Sequence, residues 1–197
     1  MNDDQDPIYE FMTKNMKKLL LASLLVFLWA SYATALSAQT AHDFKYVATD
    51  PRTVESMLGL ARVTSADVLY DLGSGDGRIV IAAAKRGAYA IGFEIDRELI
   101  DLSRQRIRQS GYSNRAKVIE GDMFKASIWP ATVVMLFFGK TALAALKPKL
   151  QKELRPKTRI ISNGLPIGDW KPLKVVDVGQ LLCDRTCWLA PLYYYER

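Results

Sequence analysis

The chain has 197 residues, 49% of them hydrophobic, so it has room for one ordinary domain with a real core rather than for several domains. Its formal net charge of +6 favours acidic partners or an anionic membrane surface, although a solvated surface with excess lysine gives the same balance. The only two cysteines, Cys183 and Cys187, exclude a structural zinc site made of thiolates alone, and they either form a disulfide or remain ordinary thiols.

An apolar segment separates a polar tail, residues 1–15, from the rest of the chain. Leu19–Ala41 has 23 residues without a charge, which is long enough to cross a bilayer. Residues 16–38 are therefore interpreted as a single-pass anchor or as a cleaved signal peptide. We expect a membrane-associated protein held by this anchor, with cleavage and export as the alternative. Residues 39–197 form the remaining domain.

The first predicted element of this domain is a helix that starts at Asp50-Pro51. Aspartate suits the N-cap position and proline suits the first helical position. Val54, Met57 and Leu58 would then share one buried face.

A short buried strand, Val68–Leu72, runs through a glycine-rich turn into a helix, Ile79–Arg86. The turn reads Asp71-Leu72-Gly73-Ser74-Gly75-Asp76-Gly77, with the spacing G-x-G-x-G rather than the G-x-G-x-x-G of dinucleotide sites. Glycines let a ligand approach the backbone closely. Carboxylates at Asp71 and Asp76 would repel a pyrophosphate and suit a ligand with a cationic group.

The next strand, Ala90–Glu94, ends in an acid that can accept both hydroxyls of a ribose. Asp96 then caps a helix that runs to about Ser110, and Gly111 ends it. The predicted apolar positions of this helix are Leu99, Ile100, Leu102 and Ile107.

A third strand, Lys117–Ile119, is followed by Asp122, which can accept a hydrogen bond from an adenine amino group. A ribose acceptor, an adenine acceptor and an acidic glycine loop together describe a site for S-adenosylmethionine. That molecule carries adenosine, an ammonium and a sulfonium, but no phosphate.

The remaining elements are four strands and a short helix. In chain order they are Val133–Phe138, a helix from Pro148 to Leu154, then strands Arg159–Ser162, Lys174–Val178 and Trp188–Tyr195. Alternating strands and helices predict an α/β fold with a doubly wound, mostly parallel sheet of seven strands. The last two strands are expected to form an antiparallel pair at the edge of this sheet.

The glycine loop, Glu94 and Asp122 resemble the motifs of class I S-adenosylmethionine-dependent methyltransferases over about residues 44–163. The segments YVATDPRTVESML, DLGSGDGRIVIAAAKR, ATVVMLFF and LKPKLQKELRPKTRIIS are also similar to the membrane-tethered protein-lysine methyltransferases and their bacterial relatives. The resemblance implies a Rossmann-like fold and a segment, Tyr46–Thr49, that helps close over the cofactor. Ala48 stands where this family leads us to expect proline.

Together, the motifs and the resemblance define the expected site. The predicted cofactor-binding residues are Tyr46, Thr49, Asp71, Gly73, Ser74, Gly75, Asp76, Gly77, Glu94, Asp122 and Met123. No metal is required, because methyl transfer is a direct displacement at a carbon already activated by the sulfonium.

The loop after the fourth strand, MLFFGK, lacks the Asn/Asp-Pro-Pro-Tyr/Phe sequence of methyltransferases that act on amino groups of DNA or glutamine. Phe137 and Phe138 are instead expected to form an apolar wall of the substrate pocket, unless at least one of them is plain core. Aligning the nucleophile is worth about 7–11 kcal/mol, so no catalytic base is assigned.

The function predicted is methylation of a lysine side chain in a membrane-associated protein. A small-molecule or RNA methyltransferase is one alternative, although nucleic acid is the less expected partner. An exported, non-catalytic binding protein on the same scaffold is the other, because Lys14, Lys17 and Lys18 precede the apolar stretch and favour a domain on the outer side.

Overall fold

The computed structural model describes Met16, residues 46–178 and residues 190–197. The chain divides into two compact units, Met1–Val47 and Ala48–Arg197, and the second contains all the elements discussed below. Most of the predicted anchor and both cysteines lie outside the described residues. No helix within the described ranges combines the length and the apolar character that a membrane span needs.

The second unit is built on one mixed sheet of seven strands in the order β3-β2-β1-β4-β5-β7-β6. The strands are β1 Val68–Leu72, β2 Tyr89–Glu94, β3 Ala116–Glu120, β4 Val133–Leu136, β5 Arg159–Asn163, β6 Lys174–Val176 and β7 Leu192–Glu196. Strands β1 to β5 are parallel, and β7 runs antiparallel to both β5 and β6. The predicted doubly wound, mostly parallel sheet with an antiparallel edge pair is confirmed.

Four helices are described in this unit: α1 Pro51–Leu60, α2 Arg78–Lys85, α3 Arg97–Ser110 and α4 Lys140–Glu153. The predicted caps are present. The Asp50 carboxylate accepts from the Arg52 N–H at 2.8 Å, and the Asp96 carboxylate accepts from the Glu98 N–H at 2.9 Å. Each cap satisfies backbone donors that the first turn of a helix leaves without a partner.

Helices cover both faces of the sheet. Met57 of α1, Val80 of α2 and Ile100 of α3 pack with Leu69 and Met135 on one face, here called the α1–α3 face. On the opposite face, here called the α4 face, Leu143, Leu146 and Leu150 pack with strand residues such as Leu136 and Ile160. Successive residues of a strand therefore alternate between two buried layers, which explains why β4 is apolar throughout.

The prediction that Pro148 opens a helix is wrong. Helix α4 begins at Lys140, and Pro148 lies inside it, exposed to solvent. The apolar positions Leu143, Leu146 and Leu150 form a stripe with helical spacing, and all three are fully buried. Burial of this stripe outweighs the loss of one helical hydrogen bond at proline, and the carbonyl that loses its partner belongs to the exposed Ala144.

The inner face of α3 also differs from the prediction. Leu102 is 37% exposed, whereas Ser103 is completely buried. A Cβ atom built on Gly77 would lie 3.0 Å from the Cβ of Ser103, so α3 passes very close to the start of α2. Only a small side chain fits between the two helices, and the buried serine satisfies its hydroxyl by donating to the Ile100 carbonyl at 2.8 Å.

Candidate active site

The strand order reverses between β1 and β4, and the loops after the parallel strands meet at this point. In open α/β sheets, ligands bind in the crevice outside the carboxyl ends of the strands at such a switch point. Four of the sequence-predicted positions lie at these strand ends: Asp71 in β1, Glu94 in β2, Asp122 after β3 and Phe137 after β4.

The loop after β1 requires its glycines. Gly73, Gly75 and Gly77 have φ angles of 68°, 52° and 78°, in the left-handed region that side chains disfavour. The backbone N–H groups of Gly73 and Ser74 both donate to the Phe93 carbonyl, at 2.9 and 3.0 Å. The loop is therefore folded back against the end of β2, and its remaining backbone lines the crevice.

A fourth glycine, which was not among the predicted site residues, makes this close approach possible. A Cβ on Gly92 in β2 would overlap the side chain of Ser74. The signal was available, because a glycine inside a strand often marks a place where another backbone or a ligand comes close. Similarly, a Cβ on Gly73 would lie 2.5 Å from the ring of Phe138, so this ring closes one wall of the loop.

Glu94 closes the loop on its other side. One carboxylate oxygen accepts from the Gly75 N–H at 2.8 Å, and the other accepts from the N–H groups of Ile95 and Asp96 at 2.8 and 3.1 Å. These three bonds fix the carboxylate and leave further acceptor capacity, since an ionised carboxylate has about four acceptor sites. The role of Glu94 as a ribose acceptor stays a prediction. The structure adds a second role, because the Glu94 carboxylate holds the Gly75 N–H in place.

Asp76 is engaged within the protein. Its carboxylate is 97% buried and forms ion pairs with Arg78, at 2.6 Å, and with Arg106. Burial alone would raise the pKa of Asp76, but the hydrogen bond and charge of Arg78, together with the charge of Arg106, outweigh it and hold the pKa below its ordinary value. Arg78 also donates to the carbonyl of the buried Thr49 at 2.6 Å, which ties the segment before α1 to the glycine loop.

Asp71 has the opposite environment. The residue is 3% exposed, and its Oδ2 atom has no hydrogen-bond partner among the described residues. Burial raises the pKa of its carboxyl well above the ordinary value, and the nearby charges of Glu94 and Asp76 raise it further. Because two guanidinium groups already balance Asp76, Asp71 is the loop carboxyl that a cationic ligand group would satisfy.

Buried oxygens without partners are concentrated at this edge of the sheet. In the part of the chain that the structure describes they are Asp71 Oδ2, Ser74 Oγ and Asn163 Oδ1, and each lies at or just beyond the carboxyl end of a parallel strand. Native proteins leave few buried polar groups unsatisfied, so three together indicate a binding site. Sequence reasoning missed Asn163, since a polar residue at the end of a strand carries no distinctive pattern.

The region after β3 supplies the remaining predicted acceptor. Asp122 is partly exposed and uses Oδ1 to accept from the Phe124 N–H at 2.8 Å. The Gly121 N–H donates to the Glu94 carbonyl at 2.8 Å, so this loop lies beside the end of β2. Met123 is partly buried and packs against the core of the α4 face. The loop that carries both residues thus lies next to the end of β2.

Phe137 and Phe138 do not continue β4, which ends at Leu136. The Phe138 ring is partly buried beneath Gly73, whereas Phe137 is 38% exposed. The two rings therefore lie on the β4 side of the crevice, where the sequence predicts the substrate pocket. Tyr46 belongs to the first unit and is 41% exposed, so its predicted role is not tested.

The described residues contain no cluster of His, Cys, Asp and Glu that could hold a metal ion.

Comparisons with known proteins agree with this geometry. The ANTKMT methyltransferase domain family matches residues 71–174. A protein-lysine N-methyltransferase of Saccharolobus islandicus is 40% identical over 146 residues, which cover 73% of this chain and 91% of that protein. The adenine nucleotide translocase lysine N-methyltransferase of Mus musculus is 36% identical over 135 residues, 68% of this chain, but the match spans only 58% of the mouse protein.

A solved structure is similar along most of its length. It is described as an RNA methyltransferase from Salinibacter ruber in complex with S-adenosyl-L-homocysteine. The two proteins share 38% sequence identity with a TM-score of 0.70, over 76% of this chain and 93% of the other.

Proposed function

The chain belongs to the ANTKMT methyltransferase domain family and uses S-adenosylmethionine as its cofactor, and from this premise we propose that it methylates the side-chain amine of a lysine in a protein. The observation that carries the choice of lysine is the 40% identity along 91% of the Saccharolobus islandicus protein-lysine N-methyltransferase.

The residues present fit the cofactor. The buried Asp71 Oδ2 has no partner among the described residues, and it can accept from the ammonium group of the methionine moiety. Glu94 retains acceptor capacity for the ribose, and Asp122 lies on the adjoining loop, where it can accept from the adenine amino group. When bound, the cofactor supplies a methyl group activated by the sulfonium.

The acceptor side of the crevice is apolar. Phe137 and Phe138 follow β4, and Phe138 packs against the glycine loop that would hold the cofactor. Such a wall suits the alkyl stem of lysine and disfavours its charged form, so it lowers the pKa of the bound amine. Loss of the proton from an ordinary lysine costs about 4–5 kcal/mol at pH 7. Alignment of the nucleophile contributes about 7–11 kcal/mol, so the rate does not depend on a dedicated base.

We further propose that the substrate protein is membrane-associated and that residues 16–38 anchor the enzyme to the same membrane. The uncharged stretch Leu19–Ala41 and the resemblance to membrane-tethered lysine methyltransferases support this. Anchoring raises the local concentration of membrane substrates and reduces the search to a surface.

RNA is the second candidate substrate, and one observation favours it. The Salinibacter ruber protein, 38% identical to this chain, is described as an RNA methyltransferase. The net charge of +6 is compatible with a polyanionic partner.

One labelling experiment distinguishes the two. The purified enzyme is incubated with cofactor that carries a radiolabelled methyl group and, separately, with washed membranes and total RNA of the host. We expect methyl-lysine in digests of membrane protein and no label in RNA. A Gly75→Val variant, which should not bind the cofactor, controls for labelling by other enzymes. Label in RNA alone would replace the lysine proposal with the RNA one.

A further inference from the structure

Asn163, the last residue of β5, is a buried side chain that the functions assigned so far leave unused. It is 4% exposed, and its Oδ1 atom has no hydrogen-bond partner among the described residues. A buried amide oxygen without a partner is costly, and such a group persists where something outside the protein satisfies it. Its surroundings therefore indicate what that partner is.

The strand register places Asn163 on the same face of the sheet as Asp71. Asp71 is level with Met135 of β4, which in turn is level with Ile161 of β5. Asn163 follows Ile161 by two residues, so the two side chains point to the same side. Ile161 and Met135 both belong to the core of the α1–α3 face. Asn163 therefore stands on this face, two residues further along its strand than Ile161, which is level with Asp71.

Phe137 lies close to the end of β5, where Asn163 stands. It comes directly after the end of β4, whose pairing with β5 runs as far as Leu136 and Ser162. A Cβ built on Gly164, the residue after Asn163, would lie 3.7 Å from the Phe137 ring. Asn163 thus stands beside the expected apolar wall of the substrate pocket, on the strand that lies across β4 from the cofactor loop.

Asp71 and Asn163 are two strands apart at this edge of the sheet. Neighbouring strands lie about 4.8 Å apart and residues rise by about 3.3 Å, so the Cα atoms of Asp71 and Asn163 are about 12 Å apart. Asp71, beside the glycine loop, and Asn163, beside Gly164 and Phe137, can therefore contact different parts of what the crevice holds.

We propose that Asn163 Oδ1 accepts a hydrogen bond from the acceptor amine and thereby turns the nitrogen lone pair towards the methyl group; this rests on the proposed lysine methylation. A neutral amide oxygen suits this role, because a carboxylate would hold the amine in its protonated, non-nucleophilic form. The amine lone pair forms the new C–N bond while the C–S bond breaks, and the electron pair of that bond stays on sulfur. The methylated amine, now cationic, then loses a proton to water.

The proposal makes the methylation steps unequal. A neutral lysine amine has two N–H groups and a monomethylated amine has one, so both can donate to Asn163 while the lone pair faces the methyl. A dimethylated amine has none. Asn163 therefore assists the first and second methylations and leaves the third without help.

The test compares Asn163→Leu, which removes the amide, with Asn163→Asp, which keeps its shape. Host protein extract serves as the acceptor, and mass spectrometry resolves mono-, di- and trimethyl-lysine over time at several pH values. For Asn163→Leu we expect the first two steps to slow about tenfold and the third to change least. For Asn163→Asp the whole pH–rate profile should move to higher pH, because the carboxylate raises the pKa of the bound amine.

The matched control is Ser162→Ala. Ser162 is the neighbouring residue of β5, points to the α4 face and donates to the Leu165 carbonyl at 2.6 Å, so its replacement disturbs the same strand end without reaching the pocket. Cofactor affinity, measured by calorimetry, should be equal in the wild type, the two Asn163 variants and Ser162→Ala.

Unchanged step rates and an unchanged pH profile in both Asn163 variants would overturn the role of Asn163 and leave lysine methylation standing. Equal slowing of all three steps would also overturn it, as a structural defect. A wild-type enzyme that makes no methyl-lysine would overturn the proposed function, and this inference with it.

Discussion

Asp71 combines two properties that rarely occur together, a carboxyl that is almost completely buried and an oxygen without a partner among the described residues. The motif around it is evident in the sequence, but its protonation is not, because the pKa depends on burial and on the charges of Glu94 and Asp76. In the unfolded chain this carboxyl has its ordinary pKa. Above that value the folded protein binds more protons than the unfolded one, so stability falls as the pH rises through the raised pKa.

Replacing Asp71 by asparagine should therefore stabilise the protein without cofactor at neutral pH. The amide keeps the shape and does not titrate, so the loss of stability with rising pH disappears. Each kcal/mol gained corresponds to about 2–4 °C in the unfolding temperature. Thermal unfolding across the acid-to-neutral range measures this, with Asp101→Asn on the exposed side of α3 as the control.

Asp71→Asn should also weaken the binding of the cofactor. Binding of a cationic group beside Asp71 favours the ionised carboxyl, so wild-type protein should release a proton on binding and bind more tightly as the pH rises. Calorimetry in two buffers of different ionisation enthalpy detects the proton. Parallel pH–stability curves for wild type and Asp71→Asn, with no proton released, would contradict the assignment of Asp71.

Glu94→Ala should weaken cofactor binding by roughly 1–3 kcal/mol, because it leaves the ribose hydroxyls without an acceptor and releases the Gly75 N–H. Glu120 is its register partner on β3, so Glu120→Ala removes the same side chain from the adjacent strand end and should bind normally. Equal affinities of wild type and Glu94→Ala in calorimetry would remove Glu94 from the site.

At the scale of elements, the sequence predicts best those features that depend on residues close together in the chain. Strand β1, its glycine loop and α2 were predicted to within a residue, since caps, glycines and apolar runs all act within a few positions. Helix α4 and the burial of Ser103 were missed, because both depend on neighbours distant in sequence: the core of the α4 face and the start of α2. Asn163 was missed because a polar residue at a strand end has no distinctive pattern, whereas Gly92, a glycine inside a strand, carried a local signal that the prediction did not use.

The proline inside α4 gives a prediction at this scale. Pro148→Ala restores an N–H that can donate to the Ala144 carbonyl, and no cavity is created because Pro148 is exposed. Proline inside a helix costs about 3 kcal/mol, while its rigidity in the unfolded chain returns about 1 kcal/mol, so we expect the free energy of unfolding to rise by about 2 kcal/mol in denaturant titrations. Lys152→Ala, at an exposed position of the same helix, should change it little, and an unchanged Pro148→Ala protein would argue against a regular α4.

At the scale of the whole molecule, the proposed location on a membrane depends on residues before the domain. An uncleaved anchor predicts that native protein purified from host membranes has the full mass of 22.1 kDa. Cleavage at the signal-peptide site would instead remove residues 1–38 and give a lighter protein outside the membrane fraction. Intact-mass spectrometry of both fractions measures this directly. Finding the shortened protein would support export and leave the domain without a supply of intracellular cofactor.

The sheet order β5-β7-β6 has a consequence for the timing of biosynthesis. Strand β6 is hydrogen-bonded in the described structure only to β7, which the ribosome makes later. Until Leu192–Glu196 emerges, β5 has an open edge and β6 has no strand to pair with. The nascent chain can therefore assemble its cofactor crevice before its sheet is complete. Early binding of the cofactor would then stabilise the partly folded domain and reduce its aggregation.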